Sequence, residues 1–514
     1  MKTNKVTPWC IGSHTARSLA LAIAGAMAVQ AIALSPLQAQ ETKEKKITDS
    51  DITSAVEERF LFDKAVPWSF IDIKTNEGVV TLTGTVDNLL AKERATKIVE
   101  SVNGVRSVVN TVSVQTVART DEEIRKDVEN GLLMDPAADS YEVKTAVTGG
   151  VVSLSGTVQS FQEQSLAMQL ARQVRGVKDV KSDITVKYKV TRPDSEIVAD
   201  AKRALENDVW LDPSQVNVTA ASGKVTLTGS VGSAAEKTRA RTQAWLMGVN
   251  SVDDQGLKVE PWLAKNMQRK PGATARTDDE IKKAVKDAFV YDPRVFSFNP
   301  EVEVNAGLVT LSGVVDNMKA KQSAEQDAKN TVGVYAVKNH IKVRPVNPPP
   351  DEKLAQNVKD ALLRDTVVDS FQVDVKADRG TVTLNGTVDS YYEKSHAEDV
   401  AYRLNGVVSV KNSLDVEYPT VTYHNFRWDP YYAYSPYYYD WTRLPLISDL
   451  EIRDDIQDEL FWSPFVDADE VEVSVDNGTA TLTGTVDSWN EFFSATENAR
   501  EGGATSVINK LKVG

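Results

Sequence analysis

One cysteine, Cys10, and four histidines are all that the 514 residues offer for thiol or imidazole chemistry. That scarcity excludes a disulfide framework and leaves a Cys/His zinc cluster or a thiol enzyme without ligands. Positive charge is short as well. The chain has 59 Lys and Arg against 73 Asp and Glu, a net charge of −14, so bulk attraction to nucleic acid is not expected. Serine elbows of the G-x-S-x-G kind, H-E-x-x-H pairs and phosphate loops are missing too. The later histidines, His340, His396 and His424, are scattered along the chain. The expectation is therefore no enzyme and no cofactor. What the chain does have is 41% apolar and 26% charged residues, a globular profile, and a length that calls for several domains of roughly 100–200 residues each.

Residues 1–39 read as an export signal. Lys2, Lys5 and Arg17 precede an apolar run from Leu19 to Leu34, and Leu37-Gln38-Ala39 approximates a small-residue cleavage site. The run is short of the about 20 apolar residues that a spanning helix needs. A Sec signal cut near Ala39 is expected, with an uncleaved anchor as the alternative, and the protein is placed in the periplasm. Beyond residue 39 the chain holds 56 basic and 73 acidic side chains, net −17, and no cysteine, which suits an oxidising compartment.

A search for internal repeats finds one heptapeptide six times: Gly78 to Gly84, Gly150 to Gly156, Gly223 to Gly229, Gly307 to Gly313, Gly380 to Gly386 and Gly478 to Gly484. Each copy has the form G-x-[VA]-[ST]-L-x-G, and the closing glycines lie 72, 73, 84, 73 and 98 residues apart. About 20 residues on comes Gly-Val (Gly104, Gly176, Gly248, Gly333, Gly406), or Gly503-Ala504 in the sixth copy, followed by an alternating strand such as Val108 to Val114. The residues between the paired glycines alternate like a strand. They do not present the consecutive amides opening a helix that a phosphate cradle needs.

Within one copy the pattern predicts α-β-β-α-β. Thr120-Asp-Glu-Glu123 and Thr277-Asp-Asp-Glu280 are capping boxes that open the first helix, and Ile124, Val128 and Leu132 fall on one of its faces. Asp63, Asp135, Asp208, Asp292 and Asp365, with Ser463 in the sixth copy, sit 15 residues before the first motif glycine and read as turn residues. The first glycine supplies a hairpin turn; the second permits a bulge or a close backbone approach. Val80, Leu82 and Val86 share the buried face of the second strand, and Thr81, Thr83 and Thr85 share the other. A second helix, for example Gln162 to Val174, carries the stripe Leu166, Leu170 and Val174.

These motifs together resemble the BON domain (bacterial osmotically inducible and nodulation), over nearly the whole chain from about residue 47. The resemblance implies an α+β architecture: six tandem small αββαβ domains, each a three-stranded sheet covered by two helices on one face. The expected layout is repeat 1 at 47–116, repeat 2 at 118–189, repeat 3 at 192–260, a basic linker at 261–275, repeat 4 at 276–345, a Pro-rich linker at 346–350, repeat 5 at 351–418, a Tyr/Trp-rich linker at 419–446 and repeat 6 at 447–514. It also implies an exported envelope protein that contacts phospholipid or outer-membrane partners, with no catalytic residues. The sixth copy departs from the pattern at Ala480 and at Gly503-Ala504.

Charge and aromatics separate the copies. Ser233 to Arg276 holds eight basic and four acidic residues, and Lys237, Arg239, Arg241, Trp262, Lys265, Arg269 and Lys270 are candidate contacts to anionic lipid, each cation near the surface contributing about 1 kcal/mol. The alternative is a solvated linker. Eight of the 15 tyrosines lie between Tyr418 and Trp441. Trp428, Tyr431, Tyr432, Tyr434, Tyr437, Tyr438, Tyr439 and Trp441 are candidate interface aromatics, for a membrane, a glycan or the neighbouring repeats. Repeat 6 from Ser448 has 15 acids and four bases and is expected to be repelled by anionic lipid. The expected function is multivalent, non-enzymatic binding of a phospholipid surface or envelope proteins. A periplasmic stress-induced chaperone and a scaffold for an outer-membrane or secretion complex are the alternatives.

Overall fold

The computed structural model describes residues 47–63, 65–138, 142–188, 192–266, 276–368, 372–416, 449–463, 465–504 and 506–513. The leader, residues 267–275 and the Tyr/Trp-rich linker lie outside these. Every repeat runs helix–strand–strand–helix–strand. The first helices are α1 (Asp49–Phe62), α3 (Asp121–Met134), α5 (Asp194–Asn207), α7 (Asp278–Tyr291), α9 (Asp351–Arg364) and α11 (Asp449–Trp462). The second helices are α2 (Leu89–Glu100), α4 (Phe161–Arg172), α6 (Ala234–Gln243), α8 (Met318–Lys329), α10 (Tyr391–Tyr402) and α12 (Trp489–Glu501).

Local sequence sets the helix starts. Thr48, Thr120 and Thr277 form capping boxes with Asp51, Glu123 and Glu280, while Pro193 and Pro350 open α5 and α9 with no side-chain cap. Each second helix starts at Asn or Ser (Asn88, Ser160, Ser233, Asn317, Ser390, Ser488), whose side chain accepts the backbone N–H three residues on.

In repeat 1, β1 (Ile71–Asn76) pairs antiparallel with β2 (Val79–Val86), which pairs parallel with β3 (Ser107–Asn110) and β4 (Ser113–Val114). The sheets are thus mixed, with the motif strand in the centre. Val80, Leu82 and Val86 are buried beneath the two helices, and Thr81, Thr83 and Thr85 lie on the half-exposed face. Each repeat has its own apolar core, in which a fully buried Val or Leu contributes about 1.5–3 kcal/mol.

The closing strand departs from the unbroken alternation expected. In repeats 1, 4 and 6 it splits after Asn110, Asn339 and Asn509. The Asn Oδ1 accepts the N–H two residues on (Val112, Ile341, Leu511), and its Nδ2 donates to a carbonyl of the second helix (Lys92, Lys321, Phe492). Asn412 makes the same bonds in repeat 5, where the closing strand is unbroken, so this side chain ties strand to helix without by itself splitting the ladder.

The hairpin turn places two consecutive residues in the left-handed region, Glu77 at φ 50° and Gly78 at φ 75° in repeat 1, with the same arrangement in all six copies. The first of the two is glycine only in repeat 2; elsewhere Glu77, Ser222, Ala306, Arg379 and Asn477 accept that strain. The opening Asp of the first helix compensates. In repeat 5, Arg379 and Gly380 donate their N–H groups to Asp351 Oδ2 (2.7 Å) and Oδ1 (3.0 Å). Asp49, Asp121, Asp194, Asp278 and Asp449 hold their turns in the same way, always 29 residues before the glycine. These hydrogen bonds pull the Asp121 and Asp351 carboxyls below their ordinary range. Since the ionised form is the one that grips, the clasp is present above the ordinary carboxylate pKa and is lost as pH falls through the lowered value. Asp351→Ala is expected to speed hydrogen exchange at Arg379 and Gly380 selectively, with the Gly149-Gly150 turn unchanged as the internal control.

Candidate binding surfaces and repeat junctions

The residue that ends each first helix, an aspartate in repeats 1–5 and buried in all but repeat 4, is a turn residue, as expected: Asp63, Asp135, Asp208, Asp292 and Asp365 each accept the N–H two residues on, and Ser463 does so with its hydroxyl. Its carboxylate has a second task. Thirty-one residues later, on the second helix, Arg94, Arg239 and His396 reach Asp63, Asp208 and Asp365 at 2.5, 2.7 and 2.9 Å. Burial alone pushes the Asp365 carboxyl up, but His396 and the N–H groups of Val367 and Val368 bring it below its ordinary range. Repeat 2 has the apolar Leu166 at that position, and Asp135 is instead met by Arg294 of repeat 4 through two bonds of 3.0 and 2.8 Å.

The helix ends also join repeats in pairs, through one recurring backbone bridge. In pair 3·4, Val209 N–H donates to Asn330 O and Val332 N–H to Asn207 O. In pair 2·5, Thr366 N–H donates to Gln173 O and Arg175 N–H to Arg364 O. In pair 1·6, Asn103 N–H donates to Trp462 O, and the Asn103 side chain to Phe461 O. There the reciprocal donor does not exist, because residue 464 is proline. Pair 3·4 leaves a cleft of about 460 Å3 on its unbridged half, between the ends of α6 and α7, lined by Asp200, Arg203, Trp245, Tyr291, Asp292 and Asp327.

Further contacts tie the pairs together. Among the described residues, repeat 1 meets repeats 2, 3, 5 and 6 through Arg172–Glu93, Thr238–Glu100, Arg94–Tyr392 and Arg59–Glu459. Repeat 2 meets 3 and 4 through Phe161–Trp245 and Arg294–Asp135; 3 meets 6 through Trp210–Phe465. Repeat 4 meets 5 and 6 through Lys319–Asp399 and Trp489–Tyr335, and 5 meets 6 through Tyr391–Arg500. With the three bridged pairs, each repeat has contacts of these kinds with four others among the described residues, an adjacency like that of the corners of an octahedron. Residues 47–514 are one compact unit, with the second helices at the junctions.

This packing bears directly on the lipid-contact candidates. Lys237 donates to Leu257 O at 2.7 Å and Arg239 pairs with the buried Asp208, so both are engaged within the chain. Arg241 is exposed beside Glu100 of repeat 1, and Trp262 is 63% exposed. The Lys265 side chain, Arg269 and Lys270 lie outside the described residues, as do all eight candidate aromatics from Trp428 to Trp441. The twelve motif glycines occupy the hairpin turns and central strands, within the scaffold. Among the described residues there is no cluster of three or more His, Cys, Asp or Glu suited to a metal, and no helix long and apolar enough to cross a membrane.

A recurring apolar position escaped the sequence reading. Each first helix ends in a pair of residues of which the first is core and the second points outward: Leu61, Leu133, Val290, Leu363 and Phe461 are 36–66% exposed, with Glu206 in repeat 3. The adjacent apolar residues just before the buried Asp were the available signal. Repeat 1 adds Trp68 and Phe70 on the next loop, both exposed.

Comparison with known proteins fits this architecture. The family model described as BON domain matches residues 48–116, 120–188, 193–261, 277–345, 350–418 and 448–514. Osmotically-inducible protein Y of Escherichia coli (strain K12) is 34% identical over 146 residues, covering 27% of this chain and 73% of that protein. An uncharacterized protein in the gshII 5′ region of Anaplasma centrale is 29% identical over 131 residues, covering 24% and 87%. Among solved structures, CdsD, a structural protein of the type III secretion system of Chlamydia trachomatis, is 19% identical, covering 43% of this chain and all of that one at a TM-score of 0.12. Six matched domains spanning most of the chain establish that it belongs to the BON domain family.

Proposed function

We propose that this is an exported, non-enzymatic envelope protein of the periplasm that holds extended or partly unfolded polypeptides through several weak apolar contacts at once. The observation that carries this reading is the outward apolar residue at one fixed position of five repeats, Leu61, Leu133, Val290, Leu363 and Phe461. A planar bilayer meets only one side of a closed six-domain body, whereas a flexible chain reaches several such points and gains avidity from them. The engagement of Lys237 and Arg239 within the chain, and the acidity of repeat 6, favour polypeptide over anionic lipid. The name of the Escherichia coli relative, osmotically-inducible protein Y, fits a protein made in response to stress.

Suppression of the aggregation of reduced insulin tests the reading. The native protein is expected to suppress light scattering at near-stoichiometric amounts, and the variant carrying Leu61→Ser, Leu133→Ser, Val290→Ser, Leu363→Ser and Phe461→Ser to lose most of that effect. No suppression by the native protein sinks the proposal. A second reading, membrane docking, is favoured by the exposed pair Trp68 and Phe70. It predicts vesicle flotation that is abolished by Trp68→Ser with Phe70→Ser.

A further inference from the structure

The junction between repeats 1 and 6 differs from the others in its charge balance. The Arg59 guanidinium, 4% exposed, is inserted between the two repeats: Nη1 donates to Ser101 O and Oγ at 3.2 and 2.9 Å, Nη2 donates to Glu459 O at 3.2 Å, and Nε lies 3.0 Å from Glu459 Oε2. Facing Glu459 are Glu58 and Arg59 from α1, Asp455 from its own α11 and Glu501 from α12. Glu501 in turn faces Arg59, Arg94 from α2, Asp63 and Glu497, the last already paired with Arg500. Glu58 faces Asp455 and Asp458. Arg59 and Arg94 thus stand among seven carboxyl groups, of which Glu459 and Asp63 are buried, Glu58, Asp455 and Glu501 partly buried, and Asp458 and Glu497 exposed.

We propose that this junction is a pH-operated latch, which holds the first and last repeats together in acidic to neutral medium and releases them in alkaline medium while pair 2·5 stays closed. Burial pushes Glu459 up to about 8, with Arg59 opposing and Glu501, Glu58 and Asp455 reinforcing the rise. Burial raises Glu501 and Glu58 as well. Once the repeats separate, these carboxyls return to water and to their ordinary range. The closed junction therefore binds more protons than the open one, so its stability is full below the ordinary carboxylate pKa and drains away as pH rises toward 8. Pair 2·5 is built the other way. Burial alone would raise Asp365 and Asp399, but His396 with backbone N–H groups, and Arg403 with Lys319, hold them below their ordinary range, so neither carboxyl takes up a proton there.

Hydrogen exchange of the full chain, followed by mass spectrometry and corrected for the intrinsic pH dependence of exchange, tests this. Protection of peptides 101–106 and 459–463 is expected to fall at least about tenfold between pH 6 and 9. Peptides 173–178 and 364–368, which contain the same bridge in pair 2·5, are expected to keep theirs, with an unchanged far-UV spectrum. Glu459→Gln keeps an acceptor for Arg59 and is expected to flatten the pH slope, and Glu501→Gln to reduce it independently. Constant protection at the 1·6 peptides, equal loss at both pairs, or native slopes in both variants would each overturn the latch.

Discussion

Replacing Arg294 with methionine is expected to lower the stability of the chain by about 3–5 kcal/mol, the largest effect of any single charge removal outside the latch. Asp135 is 2% exposed and lies at the junction of repeats 2 and 4, and both its oxygens are bound by Arg294. One further bond remains, from Ala137 N–H to Oδ1. Methionine fills much of the volume but removes both side-chain bonds to a buried carboxylate, leaving only the non-bonded attraction of Arg403, and a buried acceptor stripped of its partner costs most of its desolvation penalty. The loss should appear as a lower urea midpoint and as faster exchange at the end of α3. The double variant Asp135→Asn with Arg294→Met removes the charge as well as its partner and is expected to be markedly less destabilised than the sum of the singles. Additive losses would mean that the two side chains act separately, and the junction would then owe little to their pairing. The comparison with Asp63, Asp208 and Asp365 sharpens the prediction. Each of these takes its partner from its own second helix, so the ion pair lost on replacing the Asp lies within one repeat rather than across a junction.

What could be read from the sequence is what repeats. The glycines, the capping boxes and the buried Val and Leu of the central strand are dictated by backbone geometry and periodicity, and these constraints return in every copy. The clasping Asp was equally legible, 29 residues before a glycine six times over, but one exposed acid at a helix start reads as an ordinary first-turn residue. The split closing strand was not, since Asn110 sits at a position where alternation continues on paper, and Asn412 makes the same side-chain bonds in the unbroken strand of repeat 5. The junctions lie furthest out of reach. Arg59 and Glu459 are 400 residues apart, Arg175 and Asp365 190, and each such contact occurs in one pair only, so comparing copies averages it away. The basic cluster on α6 misled for the same reason: its charges look free until Asp208 and Leu257 O are seen beside them.

Alanine at the second motif glycine is expected to separate the repeats sharply. At Gly156 the backbone has φ 140°, and an added Cβ would sit 2.0 Å from the Glu142 carbonyl oxygen, a rigid atom of the neighbouring strand. Gly84, Gly229, Gly386 and Gly484 meet the same obstacle at 1.9–2.0 Å. Relief requires the hairpin to come apart locally, so Gly156→Ala is expected to cost more than about 4 kcal/mol, which sits in the exceptional tail of single substitutions, and to unfold repeat 2 selectively. Gly313 has the same kind of dihedral, φ 128°, yet its nearest neighbour is Pro300 Cα at 3.7 Å: the residue facing it in place of the blocking carbonyl, Asn299, is left-handed at φ 43°, and the central strand breaks into Leu308–Ser312 and Val314–Val315. Gly313→Ala should therefore carry only the dihedral strain, about 1–3 kcal/mol. Urea unfolding with exchange resolved by repeat distinguishes the two. Similar losses at Gly156 and Gly313 would show that the positive φ alone makes glycine necessary, and that the close carbonyl yields at little cost.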